Sequence, residues 1–412
     1  MFKRIPGTKD ILPEEISCWQ EIEKISRKIF SIYNYREIRP PLIEEAALFN
    51  RSLGEVTEVV QKQMFLINND TDIYALRPEA TASVVRAYIE NNISPLAKLY
   101  YIGPMFRLER PQKGRLRQFH HIGCEVIGSV DPFLDVEVIA LSDRLLKAFS
   151  VEGYQIKINS LGCLKDKKGL SDGLRKALGV NIDGLCQECK ARFERNILRI
   201  LDCKKESCRQ IIQKLKITDT HLCPDCKGHF SRVRSGLDNL KIPYTLSPHL
   251  VRGLDYYTRT VFEITHQGLG SQDALGAGGR YDALVSELGG DRAGSVGFAF
   301  GVERILLAAD YKPEPGAHKL VYIISLGEEA KEYAVRLLDS LRKAGFAADT
   351  DYTGRSLKGA LRLANDLGAG YTVIIGENEL RNNKVLLKDM GSGEQRELDQ
   401  ESLLGELKKK AG

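Results

Sequence analysis

At 412 residues, with 43% hydrophobic and 28% charged side chains, the chain has material for two or three domains with well buried cores. Its 60 basic against 55 acidic residues leave a net charge of only +5, so any contact with nucleic acid must rest on local patches and not on the whole field. No run approaches the ~18 apolar residues of a membrane span, the N-terminal MFKRIPGTKDILPEEIS lacks an apolar core of signal-peptide kind, and nine cysteines is an odd number for a disulfide framework, which predicts a cytoplasmic protein with reduced thiols or a metal site.

In chain order, residues 2–13 predict a loop with Pro6-Gly7 and a stop at Pro13. Over residues 14–33 the apolar Ile16, Trp19, Ile22, Ile25, Ile29, Phe30 and Ile32 fall mostly three or four apart, the buried face of an amphipathic helix. A strand through 35–38 ends at Pro40-Pro41, as an ordinary edge strand beside a core helix also would. Residues 73–86, IYALRPEATASVVR, predict a strand, a turn at Arg77-Pro78, and a helix opened by Glu79 and Thr81. A Glu in that place has an ordinary use, complementing the helix dipole.

Residues 103–125, GPMFRLERPQKGRLRQFHHIGCE, predict a hairpin: a strand through 105–108, a break at 110–114, and a second strand through 116–126. Arg107, Arg110, Lys113, Arg115 and Arg117 stand there against one acid, Glu109. Such a hairpin is either a solvated basic face or a grip on an anion, and an Arg fork matches phosphate oxygens in a way that a Lys point charge does not. The chain has no GxxxxGK[ST], so bound ATP would lie on something other than a P-loop.

A helix is predicted over 135–149, with Ile139, Leu145, Leu146 and Phe149 on one side, and a strand over 154–159. From 161 to about 242 the chain changes character, with Lys-rich helices, few aromatic residues and seven of the nine cysteines, which reads as an inserted module. Its CxxC pairs, Cys186/Cys189 and Cys223/Cys226, flank Cys203 and Cys208; thiolates on either side of a tight turn can point at one ion. A structural zinc held by Cys186, Cys189, Cys223 and Cys226 and a set of reduced free thiols are both open readings; four thiolates would leave no catalytic position.

Residues 244–250 return to sheet, and LVRGLDYYTRTVFEI at 250–264 puts Arg252, Asp255, Tyr256 and Tyr257 at a strand edge after an irregular turn at Gly253. A Tyr-rich core strand would read similarly. The stretch 268–304 is Gly-dense; its GAGG does not sit between the strand and helix of a βαβ unit, so a dinucleotide site is rejected, while close approach of backbone to a ligand is expected. YKPEPGAH at 311–318 reads as a linker. Beyond it strands and helices alternate as βαβαβ, predicting a small mixed or mostly parallel sheet with helices around it.

Taken in order, these stretches resemble the histidyl-tRNA synthetases of class II over nearly the whole chain, the cysteine-rich segment least. HIGC at 121–124 resembles the HIGH element of class I only superficially, and KMSKS is missing. The resemblance implies an α/β (α+β) fold: an antiparallel catalytic sheet from 1–162 and 243–312, a helical insertion at 163–242, a linker at 313–318 and an anticodon-binding domain at 319–412. The first helix, strand and proline resemble motif 1, which implies a homodimer. The hairpin resembles motif 2, which implies that Arg107 grips the α-phosphate of ATP, Glu109 meets the adenine and Phe119 stacks on it. Residues 294–304 resemble motif 3, with Arg304 along ATP. LRPExT resembles the loop that holds the amino group, through Glu79, Ala80 (often Gly in the family) and Thr81. RGLDYY and the Gly276 to Tyr281 stretch resemble the two histidine motifs.

The resemblance further implies a carboxylate attacking the α-phosphorus of ATP, two anions meeting, with Arg107 and Arg252 neutralising the α-phosphate and Arg304 and Arg115 holding the other phosphates with Mg2+. Glu125 and Tyr257 would face the imidazole, with Arg107, Arg252, Tyr256 and Tyr281 also around the amino acid. Where the family commonly has Gln near the amino group this chain has His121, whose ring cannot offer donor and acceptor side by side as an amide does. Arg110 and Gln112 would meet the acceptor end of tRNA(His), and the last domain its anticodon. Two other classes compete: a synthetase-like regulatory subunit that senses histidine for a biosynthetic transferase, which generally lacks the last domain and catalytic arginines, and a zinc-dependent RNA-binding protein centred on the cysteines.

Overall fold

The computed structural model describes residues 2–54, 57–215, 217–270, 273–309, 311 and 320–411, and the chain divides into two compact units, residues 1–312 and 313–412. The expected linker lies, Tyr311 apart, outside the described residues.

In the first unit, Pro13 opens α1 (Pro13–Ile32), with Glu14 and Glu15 in its first turn where the dipole favours them. Its buried Trp19, Ile22, Ile29 and Phe30 each contribute about 1.5–3 kcal/mol on leaving water. Then come β1 (Arg36–Glu37), β2 (Ile43–Glu45), α2 (Ala46–Leu53), β3 (Phe65–Asn68) and β4 (Ile73–Leu76). Next are α3 (Thr81–Glu90), the long hairpin strands β5 (Ala97–Phe106) and β6 (Gln118–Ile127), α4 (Pro132–Ala148) and β7 (Tyr154–Ser160). The cysteine-rich segment folds as α5 (Leu164–Gly179), α6 (Gln187–Arg195), α7 (Glu206–Gln213) and α8 (Pro224–Asn239), joined by 3-10 turns. The chain returns through β8 (Thr245–Leu246), β9 (Thr258–His266), β10 (Ala274–Arg280), α9 (Leu284–Glu287), β11 (Ser295–Gly301) and α10 (Val302–Ala308).

An eight-stranded sheet, in the order β1-β5-β6-β11-β10-β9-β7-β8, organises this unit. Every pairing from β5 to β7 is antiparallel, and only the short edge strands β1 and β8 run parallel to their neighbours. Period-two alternation gives the sheet two different faces. On one, Ile122, Cys124 and Val126 of β6 and Val296, Phe298 and Phe300 of β11 pack with α1, α4 and α8. The other carries His121, Gly123 and Glu125 of β6 and Gly297, Ala299 and Gly301 of β11, a polar and small-residue floor left open to a ligand. A small sheet, β2-β4-β3, stands apart from it.

The fully buried Arg280, at the end of β10, pairs with Asp135 of α4 at 2.6 Å and with Asp282 at 2.9 Å. Removing one partner of such a group costs about 3–5 kcal/mol, because a charge is left uncompensated in the core.

The second unit holds β12 (Leu320–Ser325), α11 (Glu328–Lys343), β13 (Ala348–Thr350), α12 (Leu357–Asp366), β14 (Ala369–Ile375), α13 (Glu377–Arg381), β15 (Lys384–Asp389), β16 (Gln395–Asp399) and α14 (Leu403–Ala411). Its sheet runs β13-β12-β14-β15-β16, parallel among the first three strands and antiparallel at β15 and β16. Val321 and Ile323 pack with α11 and α14 on one face, Tyr322 and Ile324 with α12 on the other. The sheet is thus mixed, and β16, polar and mostly exposed, had no apolar alternation to reveal it.

Candidate active site

Above the open face of the sheet lies a cavity of about 230 Å³, lined from β5, β6, β10, β11, the hairpin loop, the start of α3, the loop before β9 and α10. It has two chemically opposite ends.

One end is built of a carboxylate and hydroxyls. Glu125, almost fully buried on β6, lies within hydrogen-bond reach of three hydroxyls: Tyr281 at 2.6 Å, Thr81 at 2.7 Å and Tyr101 at 3.4 Å. Burial pushes its carboxyl up to about 8, the nearby charge of Glu79 adds to this, and the hydroxyls of Tyr281 and Thr81 work against it. Glu79 accepts the amides of Thr81 at 2.7 Å and Ala82 at 2.9 Å, capping α3, while burial raises its pKa. Its ordinary use and a ligand role therefore coexist, since each oxygen keeps a lone pair. Ala80, the residue before α3, is fully buried. Tyr256 stacks at a tilt on Tyr257, ring centres 4.6 Å apart, and meets Tyr281 edge-on at 5.6 Å.

The other end is cationic. Arg107 follows β5 directly, donates to the carbonyl of Pro78 at 2.9 Å and lies 5.4 Å over the Phe119 ring. Arg304 on α10 donates to the carbonyls of Gly114 at 2.9 Å and Ala274 at 2.6 Å. Arg115 pairs with the buried Glu109. Burial first, then the charge of Arg107, holds the pKa of Arg115 below the usual guanidinium value; burial, then Arg115 and Arg107, does so for Arg304, and burial does the same to Arg107. The arginines stay charged, and an anion between them would relieve both penalties. Arg252 enters from the loop before β9 and pairs with Glu263 at 2.7 Å, which, against the opposing effect of burial, holds its pKa above the ordinary value.

His121 stands between the ends. Its Nδ1 is buried with no hydrogen-bond partner among the described residues, and its ring packs edge-on against Phe119 at 5.1 Å. Burial, then Arg107 and Arg304, depress its pKa well below the ordinary value, so it is neutral at physiological pH and Nδ1 is free for a ligand. Arg110 and Gln112 are exposed on the hairpin loop and do not line the cavity.

Sequence reasoning missed several groups. Tyr101 shares its face of β5 with no charged residue that would have drawn attention to it. Glu263 anchors Arg252, and Glu303 accepts the His120 amide at 3.0 Å beside the cavity; the adjacency of Glu303 to Arg304 was the only signal for it. Lys167 and Asn196, from the cysteine-rich segment, hold the loop carrying Tyr257: Lys167 donates to the carbonyls of Asp255 and Tyr257, and Asn196 to the Asp255 carboxylate at 2.6 Å.

Two expectations are corrected. The CxxC pairs do not converge on one ion: Cys186 and Cys189 gather with Cys203 and Cys208, whereas Cys223 and Cys226 gather with Cys163 and Asp166. The helices between the pairs separate them; the first pair finds its partners shortly after it in the chain, and the second finds its partners back at the start of the segment. The glycines of GAGG also do not all clear space for a ligand. A side chain at Gly276 would strike the Phe300 ring, so this glycine is required by sheet packing, while at Gly297 it would strike the Glu125 carboxylate in the cavity.

The family description "Histidyl-tRNA synthetase" matches residues 7–305, and "Anticodon binding domain" matches residues 320–410. The chain is 46% identical over 411 residues to the histidine--tRNA ligase of Halothermothrix orenii, covering 98% of each. It is 44% identical to that of Thermotoga maritima, covering 97% of this chain and 96% of the other. Apo histidyl-tRNA synthetase of S. aureus superimposes with a TM-score of 0.81 at 36% identity, covering 98% of this chain and 99% of the other. A Bacillus halodurans protein described as an ATP phosphoribosyltransferase regulatory subunit/histidyl-tRNA synthetase shares the fold, with a TM-score of 0.66 at 21% identity over 91% of this chain and 98% of the other.

Proposed function

The chain belongs to the histidyl-tRNA synthetase family, and on that premise we propose that its cavity joins histidine to ATP and passes the activated amino acid to tRNA(His). The observation that carries this reading is the cavity's polarity: a carboxylate-and-hydroxyl end suited to an ammonium and an imidazole lies beside an arginine end suited to a polyphosphate.

In the first step an oxygen of the histidine carboxylate bonds to the α-phosphorus of ATP and pyrophosphate leaves with the electrons of the broken P–O bond. Arg107 and Arg252 neutralise the α-phosphate as charge builds, Arg304 and Arg115 hold the leaving phosphates, and Phe119 stacks on the base with Glu109 at its edge. Their side chains are fixed on carbonyls and carboxylates before any ligand arrives, so little reorganisation is left for the reaction itself. Glu303, a carboxylate on the wall of the arginine end, would offer a hard oxygen ligand to the Mg2+ that accompanies ATP, which would there offset phosphate charge. In the second step the 3′ hydroxyl of tRNA attacks the carbonyl, AMP leaves, and an adenylate phosphate oxygen takes the proton.

Glu79 and Thr81 hold the α-amino group beside Ala80, His121 contacts it through Nδ1, and Glu125 with Tyr257 and Tyr281 faces the imidazole. A site whose buried polar groups go unpaired with the wrong amino acid discriminates by about 10⁴ without editing. Arg110 and Gln112, on the exposed tip, meet the acceptor end, and the second unit the anticodon. No helix among the described residues is long and apolar enough to cross a membrane, which accords with work in the cytoplasm. Exposed Leu42, Ile43, Leu66, Ile67 and Ile73 on and beside the small sheet support a homodimer.

The test is ATP-pyrophosphate exchange with each standard amino acid before any tRNA is added. Exchange with histidine alone is expected. Histidine binding without exchange would instead support the sensing-subunit reading, which no feature of the cavity favours.

A further inference from the structure

We propose that the cysteine-rich segment binds two zinc ions, one at Cys186, Cys189, Cys203 and Cys208 and one at Cys163, Asp166, Cys223 and Cys226, and that both clamp the loop bearing Arg252 and Tyr257. In each group all four ligand atoms lie within 4.8 Å of one another. A tetrahedron of thiolates at ~2.3 Å from zinc needs sulfurs about 3.8 Å apart, so each group closes with small side-chain rotations.

The backbone prepares both groups in the same way. Cys163 and Asp166, Cys186 and Cys189, and Cys223 and Cys226 each occupy the residue before a helix and its third position, at the starts of α5, α6 and α8. That spacing turns both side chains to one side of the helix end, where the dipole favours anionic ligands. The pairs are also cross-linked by amides: Cys186 N–H donates to Cys208 Sγ at 3.2 Å, and Cys163 N–H to Cys226 Sγ at 3.2 Å. Reduced thiols could pack as small apolar groups, and Asp166, which accepts the Cys163 amide at 3.4 Å in the capping box of α5, suits either reading; the gathering of four ligand atoms at each place favours the ion. Thiolate-rich sets select zinc over hard cations. Helices of nine and eight residues, as α6 and α7 are, gain little from their own hydrogen bonds and need such a staple.

The same segments reach the cavity. Between Cys189 and Cys203, Asn196 binds the Asp255 carboxylate at 2.6 Å and Arg199 binds the carbonyl of Gly253. Next to Asp166, Lys167 binds the carbonyls of Asp255 and Tyr257. Each cluster therefore fixes the loop from its own side. The zinc sites stand independently of the synthetase reading; only the effect on histidine rests on it.

Elemental analysis of the full chain, produced with zinc supplied and purified without chelator, is expected to give two zinc per chain. Cys208→Ser and Cys226→Ser should each lose one equivalent, and Cys18→Ser, on α1, should lose none. Less than about a tenth of an equivalent in the native-like wild-type chain, or one shared equivalent lost by both variants, overturns the two-site assignment. Zinc content is read without turnover, so an inactive synthetase would leave this result standing. For the clamp, calorimetry on chelator-stripped wild type should show histidine binding weakened at least about tenfold with ATP binding kept; unchanged histidine binding overturns the clamp.

Discussion

Burial pushes the Glu125 carboxyl up to about 8, so the unliganded chain holds it protonated at neutral pH. A carboxyl with a folded pKa above its ordinary 4.5 contributes stability that is full below about 4.5 and lost as pH rises toward about 8. Denaturant midpoints of the unliganded chain should therefore show wild type losing ground to Glu125→Gln between those limits and not outside them; parallel curves would remove Glu125 as the source. For histidine activation the same variant should lose about ten- to hundredfold in kcat/KM, the cost of a hydrogen bond to a charged partner. His121→Gln is expected to leave the KM for histidine unchanged or improved, because the ring is neutral with Nδ1 free and an amide fills the same role. A rise beyond tenfold, ~1.4 kcal/mol, would show that ring and amide are not equivalent here. Glu125 was legible through the family resemblance of its stretch. Tyr101 was not, because only the hairpin register places it across from Gly123, whose missing side chain makes room for its hydroxyl.

At the scale of elements, the β5-β6 hairpin joins both ends of the cavity: its loop carries Arg107 and Arg115 and its strand the carboxylate of Glu125. β11 makes this possible by pairing Gly297 with Glu125. Gly297→Ala would drive a methyl into that carboxylate and should cost about 1–3 kcal/mol of stability by overpacking. Histidine binding should fall further than ATP binding, measured by calorimetry with each ligand. Equal losses would mean that the strand merely shifts as a whole. The inward face of helix α1 was readable from its apolar spacing at Trp19, Ile22, Ile29 and Phe30, while Ile16 and Ile32, expected on that face, are exposed; the glycines of β10 and β11 were readable as demands for close approach. Which glycine faces Phe300 and which faces Glu125 depended on register, a property of strand pairs that no single strand states.

At the scale of the whole molecule, the two units each have their own sheet and apolar cores. Deletion of residues 319–412 should reduce tRNA charging by at least about tenfold more than it reduces pyrophosphate exchange, on the reading that the second unit recognises RNA and the first does the chemistry. Equal loss of both would oppose that division. The order of motifs, with RGLDYY and the alternating C-terminal elements, sufficed through their resemblance to a known family to indicate family and fold class, while local periodicity indicated the individual elements, because it is written within each segment. Tertiary structure alone decided which cysteines of different helices meet and that segments around the cysteine clusters brace the loop bearing Arg252 and Tyr257. Those are contacts between residues tens of positions apart, and their distances exist only once the intervening helices and strands have packed.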